Sequence, residues 1–158
     1  VTDQLEVSAR AICERHGRKP DALIEILHEL QGEVGYVPRE AVAPIADALN
    51  LSRAEVHGVV TYYHDFRAEP AGRCVVKLCR AEACQALGVE ALVADLEKRL
   101  KVKFGETRTD GAVTLETVYC LGNCALGPSA LVNARIYGGL TAERLAQIAE
   151  KAIAETAP

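Results

Sequence analysis

The stretch that decides the fold is "RCVVKLCRAEAC", residues 73–84. Cys74, Val76 and Leu78 fall on one side of an extended chain, and Val75 and Lys77 on the other. That period of two predicts a half-buried strand. The run ends on Cys79, and a second cysteine, Cys84, follows in the turn that enters the next helical region. Downstream, residues 89–100 place Leu92, Val93, Leu96 and Leu100 on one helical side. Asp110-Gly111 is a hairpin signal between "KFGETR" and "AVTLETV". "ALVNARIYG" (130–138) predicts one further strand. Thr141 is positioned to cap a last helix carrying Leu145, Ile148, Ala149 and Ile153. The order strand, helix, hairpin strands, strand, helix is that of an α/β sandwich.

Upstream, residues 1–66 read as four short helices. Leu5, Ala9, Ile12 and Cys13 mark the first apolar face, closed by Gly17. Leu23, Ile24, Leu27 and Leu30 mark the second, between Pro20 and Gly32. Val42, Ile45, Ala46 and Leu49 mark a third, opened near Pro38. "SRAE" (52–55) is a capping-box pattern before Val56, Val59, Val60 and Tyr63. Four such helices with small loops suggest a bundle. "RAEPAG" (67–72) reads as a linker, and the charge balance changes there. Residues 1–70 carry 7 basic and 12 acidic side chains, net −5, and residues 71–158 carry 11 and 10, net +1. The expected organisation is a helical bundle and linker over 1–70, then an α/β domain over 71–158.

Composition narrows the function. The chain has 158 residues, 49% of them apolar, which is enough for a sizeable core without disulfide staples. A net charge of −4, seven aromatics and no Trp disfavour nucleic-acid binding. The first residues, "VTDQLEVSARAICERHG", lack a basic start followed by an apolar run, so they do not read as a signal peptide. No stretch approaches the ~20 apolar residues of a membrane span. Six cysteines in such a chain point to metal or redox chemistry in a reducing cytoplasm rather than to a secreted scaffold.

Four of those cysteines form two close pairs. Cys79 and Cys84 are separated by four residues, Cys120 and Cys124 by three, and the pairs by 35. All four fall at or just beyond strand ends, which can converge on one side of an α/β layer. Three chemistries compete for them. Zinc takes four thiolates tetrahedrally, but most structural zinc sites use tighter spacings. A dithiol–disulfide enzyme uses one close pair, so two would be redundant. A [2Fe–2S] cluster needs two thiolates per iron, and its separated irons suit wider loops. The cluster is dianionic when oxidised, and inward backbone amides would offset that charge. Gly122 and Gly127 would let the second loop turn its amides inward.

The pattern C-x4-C, 35 residues, C-x3-C resembles the thioredoxin-like [2Fe–2S] ferredoxin subunits of NADH-linked redox complexes. These include the 24-kDa-type subunit of respiratory NADH dehydrogenase, the diaphorase subunit of NAD-linked hydrogenases and the gamma subunit of NAD-dependent formate dehydrogenase. The resemblance runs through "QGEVGYVPREAVAPIADALNLSRAEVHGVVTYYHDF", "LCRAEAC", "TLETVYCLGNCALGPSALVN" and "YGGLTAERL". Within the family, "YYHDFR", "CRAEACQALG" and the compact ends look most like the formate dehydrogenase gamma subunit. The resemblance implies a thioredoxin-like [2Fe–2S] domain behind the helical bundle. It also implies that Cys79, Cys84, Cys120 and Cys124 are each a cluster ligand. The chain would dock on a larger subunit that binds FMN and NAD. In the formate enzyme a third subunit oxidises formate at a molybdenum or tungsten pterin, and the full complex converts formate and NAD⁺ to CO₂ and NADH. The chain itself would be a one-electron carrier with no catalytic residue. A zinc-stabilised interaction module and a thiol–disulfide oxidoreductase are the rivals from other classes.

The remaining chemistry-bearing residues have plainer readings. Cys13 and Cys74 sit on apolar faces and read as core cysteines. His16, His28, His57 and His64 do not interleave with cysteines as in a Rieske site, and read as structural or solvated. Tyr36, Tyr62, Tyr63 and Phe66 read as packing residues or partner anchors. Arg80 adjoins a ligand and could bias the cluster potential.

Overall fold

In the computed structural model, which describes residues 2–156, the spacing of Leu5, Ala9, Ile12 and Cys13 is realised as helix α1 (Thr2–Arg15). Ala9, Ile12 and Cys13 are fully buried, and Gly17 (φ +66°) follows the helix end. Helix α2 (Leu23–Val34) starts after a single 3₁₀ turn led by Pro20. It buries Leu23, Ile26, Leu27 and Leu30. Ile24, expected on that face, is instead exposed. Gly32 lies inside the helix rather than after it, and Gly35 (φ +91°) closes it, donating its N–H to Gln31 O at 2.7 Å. Helix α3 (Val42–Leu49) follows Pro38, and Asn50 ends it at φ +54°. Helix α4 (Arg53–Tyr62) carries the expected capping box. Glu55 N–H donates to Ser52 Oγ at 3.1 Å, and Ser52 N–H to Glu55 Oε2 at 2.8 Å.

The chain divides into two compact units, Val1–Pro70 and Ala71–Pro158. In the first, α1 packs on α2 and α3, and α4 on α3. Their apolar faces form one cluster that includes Val37 and Phe66. His16 Nε2 lies 2.7 Å from Glu29 Oε2, and His28 packs on the Phe66 ring, so both are structural.

The second unit is an α/β sandwich around a four-stranded sheet. Strand β1 (Cys74–Cys79) buries Cys74, Val76 and Leu78 and leaves Val75 and Lys77 half-covered. A short helix α5 (Glu82–Ala86) and helix α6 (Val89–Leu100) carry the chain across to β2 (Val113–Val118). Strand β2 pairs in parallel with β1, Cys74 opposite Val113 and Cys79 opposite Val118. The sheet order is β2-β1-β3-β4, with β3 over Ala130–Val132 and β4 over Arg135–Tyr137. Helix α7 (Ala142–Glu155) packs on α6, β1 and β3, and Thr141 Oγ1 caps it by accepting Arg144 N–H at 3.2 Å. Leu78, Leu96, Leu100, Leu115 and Leu145 are almost fully buried between the layers. Each such side chain contributes about 1.5–3 kcal/mol through burial.

Two local expectations are corrected. "KFGETR" is not a strand. Only Thr107 bridges to Thr114, because Gly105 at φ +87° and a turn joining Glu106 N–H to Lys103 O break the extended run. "ALVNARIYG" is not one strand but a hairpin, β3 (Ala130–Val132) and β4 (Arg135–Tyr137). Asn133 and Ala134 form its two-residue turn at φ +43° and +67°.

Candidate metal centre

The parallel pairing of β1 and β2 sends both strands out of the sheet at the same edge, and the two cysteine loops begin there. Cys79 is the last residue of β1 and Cys120 lies two residues beyond β2. Cys84 sits inside α5 rather than in a turn, and Cys124 begins a single 3₁₀ turn over Cys124–Leu126. Arg80 N–H donates to Val118 O at 2.9 Å, which clamps the two strand ends together.

The four thiols form two unlike pairs. Cys79 and Cys84 are free, buried thiols at 2% and 1% exposure, with Cys84 donating a hydrogen bond to Cys79. Cys120 and Cys124 are exposed, with their sulfurs 3.7 Å apart. Among the described residues no three His, Cys, Asp or Glu side chains are arranged to hold a single metal ion.

Backbone donors join the loops. Burial pushes the Cys79 thiol up, but N–H groups of Ala81, Cys120 and Leu121 and the bond from Cys84 outweigh it, so its pKa falls. Two of those amides come from the other loop. Cys84 is pushed up by burial, partly offset by the Ser129 N–H on its sulfur. Cys124 is raised by its bond to Cys120 and by that neighbour's charge. The amides turn inward partly because Cys120 and Gly122 adopt φ +69° and +75°. Gly127 acts differently from the expectation. Its φ is an ordinary −67°, but a Cβ there would stand 2.8 Å from Leu87 Cδ1 and 3.5 Å from Cys84 Sγ.

Four soft sulfurs in two pairs, with several amides aimed at them, suit a binuclear, anionic iron–sulfur group. Cys13 and Cys74 are fully buried and stand in the apolar cores of the first and second units. Burial raises Cys13, and raises Cys74 to about 11, so both stay protonated thiols. Arg80 is not free to act alone. Its guanidinium forks onto Glu90 at 2.9 and 2.6 Å. The amide donors of Ala81 and Leu121 and the role of Ser129 had no sequence signal, because a backbone N–H has no residue identity.

The family model described as "Thioredoxin-like [2Fe-2S] ferredoxin" matches residues 9–153. The chain is 37% identical over 130 residues to the E-type chain of the NADH-quinone oxidoreductase of Escherichia coli (strain K12), covering 82% of this chain and 78% of that protein. It is 32% identical over 131 residues to the HndA chain of the NADP-reducing hydrogenase of Solidesulfovibrio fructosivorans, covering 83% and 77%. Among solved structures, a chain of the NAD⁺-reducing [NiFe]-hydrogenase in the air-oxidized state superposes with a TM-score of 0.71 at 25% identity. That match covers 87% of this chain and about a quarter (24%) of the hydrogenase chain.

Proposed function

Because the chain belongs to the thioredoxin-like [2Fe–2S] ferredoxin family, we propose that it is an electron-transfer subunit of an NAD-linked, flavin-containing oxidoreductase. In this reading Cys79, Cys84, Cys120 and Cys124 hold one [2Fe–2S] cluster. The observation that carries it is the meeting of the two loops. Arg80 N–H donates to Val118 O at 2.9 Å and Cys79 N–H to Ser129 O at 3.0 Å, so the first cysteine loop is tied at its start to the strand that enters the second loop and to the residue that leaves it. When bound, such a cluster takes up and gives back one electron at a time. The chain's own residues do the rest. Cys79 and Cys84 supply thiolates from a water-excluding pocket, and the amides of Ala81, Cys120, Leu121 and Ser129 offset negative charge at the sulfurs.

FMN and NAD belong on a partner subunit in this reading. The relatives support a respiratory NADH:quinone oxidoreductase or a hydrogenase as the parent complex better than a formate dehydrogenase. Formate as electron donor, with a molybdenum or tungsten pterin subunit, rests on the family resemblance of stretches such as "YYHDFR" and "CRAEACQALG" and not on these relatives. Among the described residues no helix is long and apolar enough to cross a membrane.

The test is the visible spectrum of anaerobically purified chain, with iron, zinc and sulfide analysis. Two irons and two sulfides per chain and bands that bleach with dithionite are expected. Serine at Cys79, Cys84, Cys120 or Cys124 should weaken or abolish those bands, since a hard oxygen replaces a soft thiolate. Serine at Cys13 or Cys74 should leave them intact. A colourless chain holding zinc, or a metal-free chain that reduces disulfides, would overturn the reading. Bleaching by Cys74→Ser but not by Cys84→Ser would overturn the ligand set.

A further inference from the structure

Ser129 is one of two buried polar residues among those described, at 1% exposure, and it touches both cysteine loops. Its carbonyl accepts the Cys79 N–H at 3.0 Å. Its own N–H donates to the Cys84 sulfur. Its hydroxyl accepts Asn123 Nδ2–H at 3.0 Å and donates back toward the carbonyls of Asn123 and Leu126, at 3.3 and 3.4 Å. Asn123 and Leu126 flank Cys124, so this small network closes the turn that carries the exposed cysteine. Gly138 completes it from outside. A Cβ there would fall 2.6 Å from Leu126 O and 2.8 Å from Asn123 Nδ2, and Gly139 N–H donates to Leu126 O. The two backbone groups of Ser129 therefore fix the buried pair, and its hydroxyl fixes the turn of the exposed pair.

We propose that Ser129 is a positioning residue for the metal group, its hydroxyl holding Cys124 in register with the buried Cys79–Cys84 pair. The inference rests on the ligand set proposed above. Replacing the hydroxyl leaves the backbone contacts to Cys79 and Cys84 in place and frees the turn over Cys124–Leu126. The network should then fail locally, at the ligand, while the fold around it persists. Asn123 works through the same hydroxyl, so its loss should add little once Ser129 is gone.

The test uses full-length chain, wild type, S129A, N123A and the double variant, each loaded anaerobically with iron and sulfide. Three quantities are followed: the rate of iron release to a chelator, the visible circular dichroism, and the melting temperature. S129A should release iron about tenfold faster, as expected for one buried hydrogen bond. Its visible dichroism should change while its melting temperature stays near wild type. N123A should show the same signature, and the double variant should lie within about twofold of S129A. Wild-type release and dichroism in both single variants would overturn the proposal. So would a lowered melting temperature with release and dichroism unchanged, which would make Ser129 a packing residue. Should S129A fail to fold, N123A alone decides, since Asn123 is only half-buried. A wild-type chain that takes up no iron and sulfide would defeat the cluster reading itself, and the role of Ser129 with it.

Discussion

Arg80 follows Cys79 directly, and on sequence its positive charge alone would be expected to raise a neighbouring redox potential. The fork onto Glu90 changes that argument, because the two side chains form a nearly neutral pair. A unit charge about 10 Å away at an effective dielectric near 20 is worth ~1.7 kcal/mol, or about 70 mV for one electron. Arg80 is partly open to solvent, so a few tens of millivolts is the expected scale. Arg80→Gln would leave Glu90 unpaired and lower the potential. Glu90→Gln would leave Arg80 unpaired and raise it. The double variant should return close to wild type. Redox titration of the three variants checks this, and equal potentials throughout would remove the pair from the account. At this scale the sulfur ligands proposed for the site were legible, because a cysteine announces its chemistry. The charge partner of Arg80 was not, since it lies ten residues on, across the turn between α5 and α6. The amides around Cys79 were equally hidden, as was Ser129, which no spacing or motif marks.

Elements with strong periodicity were read well, and those decided by one or two backbone angles were not. Helix α6 and strand β1 followed from apolar spacing, whereas the β3–β4 hairpin was missed because its turn is Asn133-Ala134 rather than Asn-Gly. Ala134 at φ +67° carries the left-handed penalty of a side chain with a Cβ. Ala134→Gly should relieve that penalty and lose part of the gain to chain entropy, a net stabilisation of about 0.5 kcal/mol. Asn133 must stay, since its Oδ1 accepts Val75 N–H at 2.8 Å and ties the turn to β1. Thermal melts of Ala134→Gly and Asn133→Ala should move in opposite directions. The turn before β2 offers a pH test. The Arg108 guanidinium and the Ala112 N–H hold Asp110 down to about 2, below the usual 3.8. A carboxyl lowered by folding stabilises the fold above its ordinary pKa, and that contribution is lost as pH falls from about 4 through about 2. Asp110→Asn should therefore lower the melting temperature at pH 7. It should also narrow the gap to wild type as pH falls through that window. A constant gap from pH 7 to pH 2 would exclude this origin.

Across the whole molecule, the two units carry separate apolar cores, and all four candidate ligands lie in the second. On the ligand set proposed above, the helical unit takes no direct part in holding iron and sulfur. It does carry a net charge of −5 and an aromatic group at the end of α4, where Tyr62 is 75% exposed and packs edge-on against Tyr63. Large exposed aromatics of this kind are typical anchors for a partner. The second unit shows exposed Leu87, Tyr119 and Leu126, all within three residues of a candidate ligand. In the electron-transfer role proposed above, the cluster must come near the partner's flavin, so docking on a flavin subunit should engage both sets. A chain of residues 71–158 should fold, because its core is complete, and should take up the cluster with the spectrum of the full chain. It should capture the flavin subunit far more weakly. Tyr62→Ala in the full chain should weaken capture without touching the spectrum, while Leu126→Ala should weaken it through the second unit. Co-purification of the four chains with that subunit, with absorbance of each, reads both properties at once. Equal capture by residues 71–158 would remove the docking role of the helical unit. A colourless 71–158 chain would instead mean that the second unit does not hold its cluster without the first.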